Sequence, residues 1–172
     1  MGLNVQFVYG AGNDALFGGA LYNLWVEIGN EFGDKIWRPR IIDWTERVTL
    51  ERLITQWQDP TILVGHSCGC YSVTEIAVKR SMEKIPYLMA IAPSMFCSPF
   101  RLPPNVSRAT QVTSNMADIF NLGGRQLLKA SAVNNTTKID VIASGKGHLF
   151  APGHPEVARR LKAEIARSLT GV

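Results

Sequence analysis

The feature that most constrains this chain is an alternation of two hydrophobic periods that runs from one end to the other. Short apolar runs rich in β-branched and aromatic residues are separated by stretches whose apolar residues recur at three- and four-residue steps. Leu3 to Tyr9 reads as a buried strand that ends in Gly10-Ala11-Gly12-Asn13-Asp14. Leu16, Ala20, Leu21, Leu24, Ile28 and Phe32 then mark one face of a helix stopped by Gly33. Arg40 to Trp44 is a second strand. Thr49 reads as the cap of a helix carrying Leu50, Leu53, Ile54 and Trp57, closed by Asp59-Pro60. Thr61 to Val64 is the third strand, followed by helix to about Met82; Tyr87 to Ala92 is the fourth. Residues 93–108 read as irregular, Ala109 to Ser114 as a fifth strand, Arg125 to Ala132 as a short helix and Ile139 to Ala143 as a sixth strand. Pro155 opens a last helix with Val157, Leu161, Ile165 and Leu169 on one face.

Parallel neighbouring strands need a crossover connection, so this order predicts an α/β fold. The expected architecture is a three-layer α/β/α sandwich around a mostly parallel six-stranded sheet, with residues 1–172 as one domain. Ligands in such sheets bind beyond the carboxyl ends of the strands. The loops after Tyr9, Val64, Ala92, Ser114 and Ala143 are therefore where chemistry is expected.

Composition narrows the function classes. Hydrophobic residues make up 46% and charged residues 19%, which excludes a disordered or collagen-like chain. No apolar run reaches the ~18 residues of a membrane span, and MGLNVQFVYG carries neither a basic leader nor a cleavage site. Gly2 is followed by Gln6 where a myristoylation site needs Ser or Thr, so neither a membrane nor a lipid anchor is expected. The net charge of +4 comes from scattered basic residues, densest on the last helix among acids, which reads as a solvated face and not a nucleic-acid surface. Three cysteines, Cys68, Cys70 and Cys97, are an odd set that fits a reducing, cytoplasmic setting. Cys68 and Cys70 are too close for a C-x-x-C site and have no second pair of ligands, so no metal or other cofactor is expected.

Gly65-His66-Ser67-Cys68-Gly69 follows the third strand and precedes a helix, which is the setting of a nucleophile elbow. The spacing has a steric cause. A serine lifted clear of a sheet on a one-residue turn needs glycines two positions either side, where strand and helix backbones nearly touch. The Cys68 N–H then points into the space where an oxyanion would form. A serine nucleophile needs a base, and the base an orienting carboxylate. Of the three histidines, His66 sits inside the elbow and is directed away from the Ser67 hydroxyl, which makes it structural. His154 precedes Pro155 and reads as the lead-in to the last helix. His148, just past the sixth strand, is the favoured base. Asp118, after the fifth strand, is the favoured carboxylate; Asp140 lies within a strand and Asp43 precedes Ser67 in the chain. The second oxyanion donor is expected from the loop after the first strand, at Ala11, with Gly12 as the alternative.

These residues, in the order Ser67, Asp118, His148, resemble the α/β-hydrolase superfamily over nearly the whole chain. Val64-Gly65-His66-Ser67-Cys68-Gly69-Cys70 is similar to the elbow of small lidless serine hydrolases, including the retinoblastoma-binding serine hydrolase group. The resemblance implies hydrolysis of a small-molecule ester, thioester or amide through an acyl-enzyme. It departs from the superfamily at Tyr9-Gly10, where His-Gly is usual, and the chain begins at what would be the third strand of a full-length member. Residues 93–108 are too few for a helical lid, so a minimal fold with an open site lined by Met95, Phe96 and Phe100 is expected.

Two other function classes compete. Gly10-Ala11-Gly12-Asn13-Asp14-Ala15 fits the G-x-G-x-x-A fingerprint of dinucleotide binding. Against it, Asp43 comes later than the roughly 20 positions at which a ribose-binding acid is expected, and Asp14 would oppose a pyrophosphate. A non-catalytic binding module on the same fold is the third reading.

Overall fold

The computed structural model describes residues 2–10, 19–46, 48–49, 51–52, 59–80, 83–94, 100–114, 128–131 and 136–171. Six strands form one sheet: β1 (Asn4–Tyr9), β2 (Trp37–Asp43), β3 (Thr61–His66), β4 (Ile85–Ile91), β6 (Val106–Thr113) and β8 (Lys138–Ala143). Their spatial order is β2-β1-β3-β4-β6-β8, and every neighbouring pair is parallel. A separate parallel pair joins β5 (Phe100–Leu102) to β7 (Leu128–Ala130). Among the described residues the sheet is covered by helices α1 (Ala20–Phe32), α2 (Gly69–Lys79) and α3 (Pro155–Thr170), with a 3-10 helix at His148–Gly153.

The central strands are apolar on both faces because both faces are covered. Phe7, Ile62, Val64, Met89 and Ile91 pack with Leu21, Leu24 and Ile28 of α1 and Val157, Leu161 and Ile165 of α3. Val8, Leu63, Leu88 and Ala90 pack on the other side with Val73, Ile76 and Ala77 of α2. The chain leaves β1 towards β2 through α1, but leaves β3 towards β4, in the opposite direction, through α2. Right-handed crossovers in opposite directions fall on opposite faces. The sheet order therefore reverses between β1 and β3, and the carboxyl ends of these strands are where such sheets bind ligands.

The structure corrects the sequence reading in three places. Residues 93–108 are not irregular throughout, since they hold β5 and the start of β6. The segment 125–132, expected to be helical, contains strand β7. Its helical composition is overridden by tertiary contacts: Leu128 is buried with Leu102 beneath α2, and its N–H donates to the Gln111 Oε1 at 3.1 Å. Residues 48–49 and 51–52 are helical, so Thr49 lies within the turn it was expected to cap; Leu50, Leu53, Ile54 and Trp57 lie outside the described residues. Only residues 92–105, with β5 among them, separate β4 from β6. Among the described residues no helix is long and apolar enough to cross a membrane.

Candidate active site

Strand β3 delivers Ser67 to the reversal point. The Ser67 N–H still donates to the Ile91 carbonyl of β4 at 3.0 Å, as a strand residue would, yet α2 begins two residues later. The whole change of direction is taken at Ser67, whose φ is +54°. That left-handed conformation is uncommon for a residue with a Cβ and marks a constrained position. The following bonds, Cys70 N–H to Ser67 O and Tyr71 N–H to Cys68 O, wind the chain directly into α2.

The glycines of the motif are explained by what surrounds them. A Cβ on Gly65 would lie 2.7 Å from the Gly69 carbonyl oxygen and 2.8 Å from the Cys70 backbone, because the first turn of α2 folds back over β3. A Cβ on Gly69 would overlap the Val8 carbonyl of β1. Gly10 plays a third part, which the motif does not contain. A Cβ there would sit 2.5 Å from the Ser67 Cβ, 2.8 Å from its Oγ and 2.7 Å from the Cys68 nitrogen. The loop after β1 thus starts against the serine hydroxyl and the Cys68 amide.

The field at this point favours developing negative charge. Helix α2 has no acidic residue in its first turn and no side-chain cap, so its positive end faces the elbow uncompensated. Cys68 is half-buried at the turn, whereas Cys70 is buried, its thiol 3.3 Å from the Gly65 carbonyl and 3.4 Å from that of Ile91. Ala92, at φ +44°, is a second constrained residue beside the elbow, at the end of β4. Nothing in its residue type signals this, since an alanine before Pro93 is expected to be extended.

His148 reaches the same place from far across the sheet. Strand β8 lies three strands from β3, about 14 Å away at ~4.8 Å per strand. After Ala143 the chain turns back, held by Ser144, whose N–H and Oγ both bond the Thr113 carbonyl at 3.0 Å. His148 then opens the 3-10 helix, buried, with its ring centroid 5.3 Å from that of His66. The His66 Nε2 lies 3.0 Å from the His148 carbonyl oxygen. The base candidate is therefore packed against the residue preceding Ser67.

The rejected residues are occupied elsewhere. His154 caps α3, its Nδ1 accepting the Glu156 N–H at 3.2 Å. Asp140 sits on β8 and pairs with Arg160 at 2.8 Å. Asp43 accepts from the N–H and hydroxyl of Thr45, at 2.8 and 2.5 Å. Tyr9 is its register partner on β1, and burial together with the Asp43 and Glu46 carboxylates pushes that phenol up. Of the other expected site residues, Ala11, Met95, Phe96 and Asp118 lie outside the described residues. Phe100 begins strand β5, whose Leu102 packs with α2. A groove of about 770 Å³ runs between α1, the 3-10 helix and α3, past Leu24, Phe150 and His154; neither Ser67 nor His148 lines it.

The serine hydrolase family model matches residues 28–150, a span that includes Ser67 and His148. The chain belongs to the serine hydrolase family. No curated protein sequence matches it. Among solved structures, this serine hydrolase is similar to a gene product of Listeria innocua at 13% identity and a TM-score of 0.64, covering 96% of this chain and 94% of that one. It is similar to a pyrethroid hydrolase of Sphingobium faniae at 12% identity and a TM-score of 0.61, covering 98% of each chain. It is also similar to an α/β serine hydrolase without a lid from Xanthomonas campestris, at 11% identity and a TM-score of 0.55, covering 95% of this chain and 81% of that one. At such identities the likeness is one of fold, and the fold is that of the lidless α/β hydrolases.

The Gly10 geometry bears directly on the dinucleotide reading. A pyrophosphate must approach the backbone of a Gly-rich loop closely. Here the space over the first glycine is filled by the side chain of Ser67. The same crowding gives a sharp expectation for this hydrolase: Gly10→Ala places a methyl group between the Ser67 hydroxyl and the Cys68 amide. We expect hydrolysis of a small ester to fall by about two orders of magnitude or more, since displacements near 1 Å at reacting groups cost that much. Wild-type turnover in a folded Gly10→Ala protein would refute the assigned contact.

Proposed function

We propose that this serine hydrolase is a carboxylesterase-like enzyme that cleaves a small carboxylic ester, thioester or amide through an acyl-enzyme. The observation that carries the reading is Ser67, held at φ +54° over the positive end of α2 with the Gly10 backbone against its hydroxyl, and with His148 packed on the neighbouring His66. In this reading the His148 imidazole takes the Ser67 proton as Oγ attacks the acyl carbon. Electron density moves onto the carbonyl oxygen, which accepts N–H bonds from Cys68 and Ala11. The intermediate collapses, the carbon–heteroatom bond breaks, and His148 returns the proton to the leaving group. Water, deprotonated in turn by His148, then releases the acid. Asp118 holds the imidazole in the required tautomer. Met95, Phe96 and Phe100 line the acyl side, and the protein works in the cytoplasm on a soluble substrate.

Labelling with a fluorophosphonate tests the reading most directly, because a dinucleotide protein or a non-catalytic module would not react. Substrate size supplies a second measurement. Residues 92–105 leave no length for a helical cover between β4 and β6. Each further CH₂ of an acyl chain gains at most ~0.8 kcal/mol, and only while there is wall to bury it. We expect kcat/KM across nitrophenyl esters to peak at short acyl chains, with no jump at the micellar limit. A steady rise to long chains would mean an enclosing tunnel and would overturn the open-site reading.

A further inference from the structure

We propose that His66 is the positioning residue for His148, acting through a hydrogen bond from its Nε2–H to the His148 main-chain carbonyl. This deepens the proposed mechanism and rests on His148 being the base. The need for such a device is topological. His148 is delivered by an edge strand three positions from the nucleophile, through the exposed segment 145–147, in which Gly145 has a φ of +63°. Its own bonds are local, from the Lys146 N–H to the Ser144 Oγ and from the Lys146 ammonium to the Gly153 carbonyl, both at 3.2 Å, and neither ties His148 to the nucleophile. What meets it at the far end is the residue bonded directly to Ser67.

A carbonyl oxygen only accepts, so the 3.0 Å contact requires the proton of His66 to be on Nε2. Both imidazoles are buried, and their planes are inclined by 38° at a centroid separation of 5.3 Å. The donor fixes the height of the His148 backbone over the sheet, and the ring of His66 forms one wall of the space in which the His148 ring sits. Because His66 is covalently next to Ser67, the distance from nucleophile to base is set through one peptide unit and one hydrogen bond. This short link runs beside the longer path through strands β4, β6 and β8. In this reading the Nε2–H of His66 is engaged by the His148 carbonyl, and His66 takes no part in proton transfer.

Three variants of the full-length protein test this. His66→Phe keeps a ring of similar size and removes the donor. His66→Gln places an amide N–H at the reach of the imidazole Nε2, and His66→Asn places it one methylene short. Each is assayed for kcat and KM on a short nitrophenyl ester, with rates corrected to the folded fraction from thermal melts. We expect kcat to fall about 10- to 100-fold in the Phe and Asn variants with KM within about threefold of wild type, and the Gln variant to recover most of kcat. A wild-type kcat per folded molecule in Phe or Asn, with only a lowered Tm, would overturn the proposal in favour of plain packing. Equal losses in Asn and Gln would overturn it as well, because the donor would then not be the operative group; this pair decides even where Phe does not fold. His148→Ala run in parallel separates the two claims: activity there removes the base assignment itself, whereas an inactive His148→Ala beside a wild-type His66→Asn removes only the positioning role.

Discussion

Ser67→Ala is expected to abolish fluorophosphonate labelling and to lower ester hydrolysis by at least about 10⁴-fold, with a melting temperature close to wild type. The two halves of that result have separate causes. In the proposed mechanism the hydroxyl is the attacking group, so nothing replaces it. The backbone conformation is imposed by β3, by α2 and by the close approaches at Gly65 and Gly69, and alanine bears the same left-handed cost as serine. Ser67→Gly adds a control. It should be equally inactive but more stable by about 1 kcal/mol, since glycine adopts φ +54° without a Cβ penalty. Retained labelling in Ser67→Ala would move the nucleophile elsewhere. A Ser67→Gly protein no more stable than Ser67→Ala would show that the turn carries no strain.

The second large effect concerns the histidines. His148→Ala should reduce turnover by roughly 10³-fold or more, because in the proposed mechanism the nucleophile then loses its base and the leaving group its acid. His154→Ala should keep most of the activity and lose about 1 kcal/mol of stability, the worth of the cap it gives the Glu156 N–H. Wild-type turnover should rise with pH as the His148 imidazole loses its proton, since only the neutral ring can take the proton of Ser67. That dependence should be absent from the residual rate of His148→Ala. Activity that survives at position 148 and disappears at 154 would transfer the role of base.

Much of this was legible from residue types. Gly65 and Gly69 around Ser67, after the strand-like run Thr61-Ile62-Leu63-Val64, already implied the turn, and the structure supplies the backbone approaches that make glycine necessary there. His154 before Pro155 read as a helix start, and it is one. In the sequence Gly10 is only part of a small, Gly-rich loop, and its contact with Ser67 has no signal at the level of spacing. The position of His66 inside the elbow marks it as structural, but its bond to the carbonyl of a residue 82 positions away is outside any local pattern.

The alternation of periods determined a parallel sheet covered on both faces, because apolar strands separated by amphipathic helices have no other way to bury both sets of side chains. The elbow was equally local, since a strand, a one-residue turn and a helix are contiguous in the chain. Three things waited for the tertiary structure. Strand order placed the reversal between β1 and β3, bringing Gly10 to the serine. The pairing of Phe100–Leu102 with Leu128–Ala130 made strands of segments too short to carry a period of their own. The return of the chain from edge strand β8 carried His148 back to His66. Each joins residues distant in sequence, and the free energy that decides such a pairing comes from burial and hydrogen bonds formed only when both partners are in place.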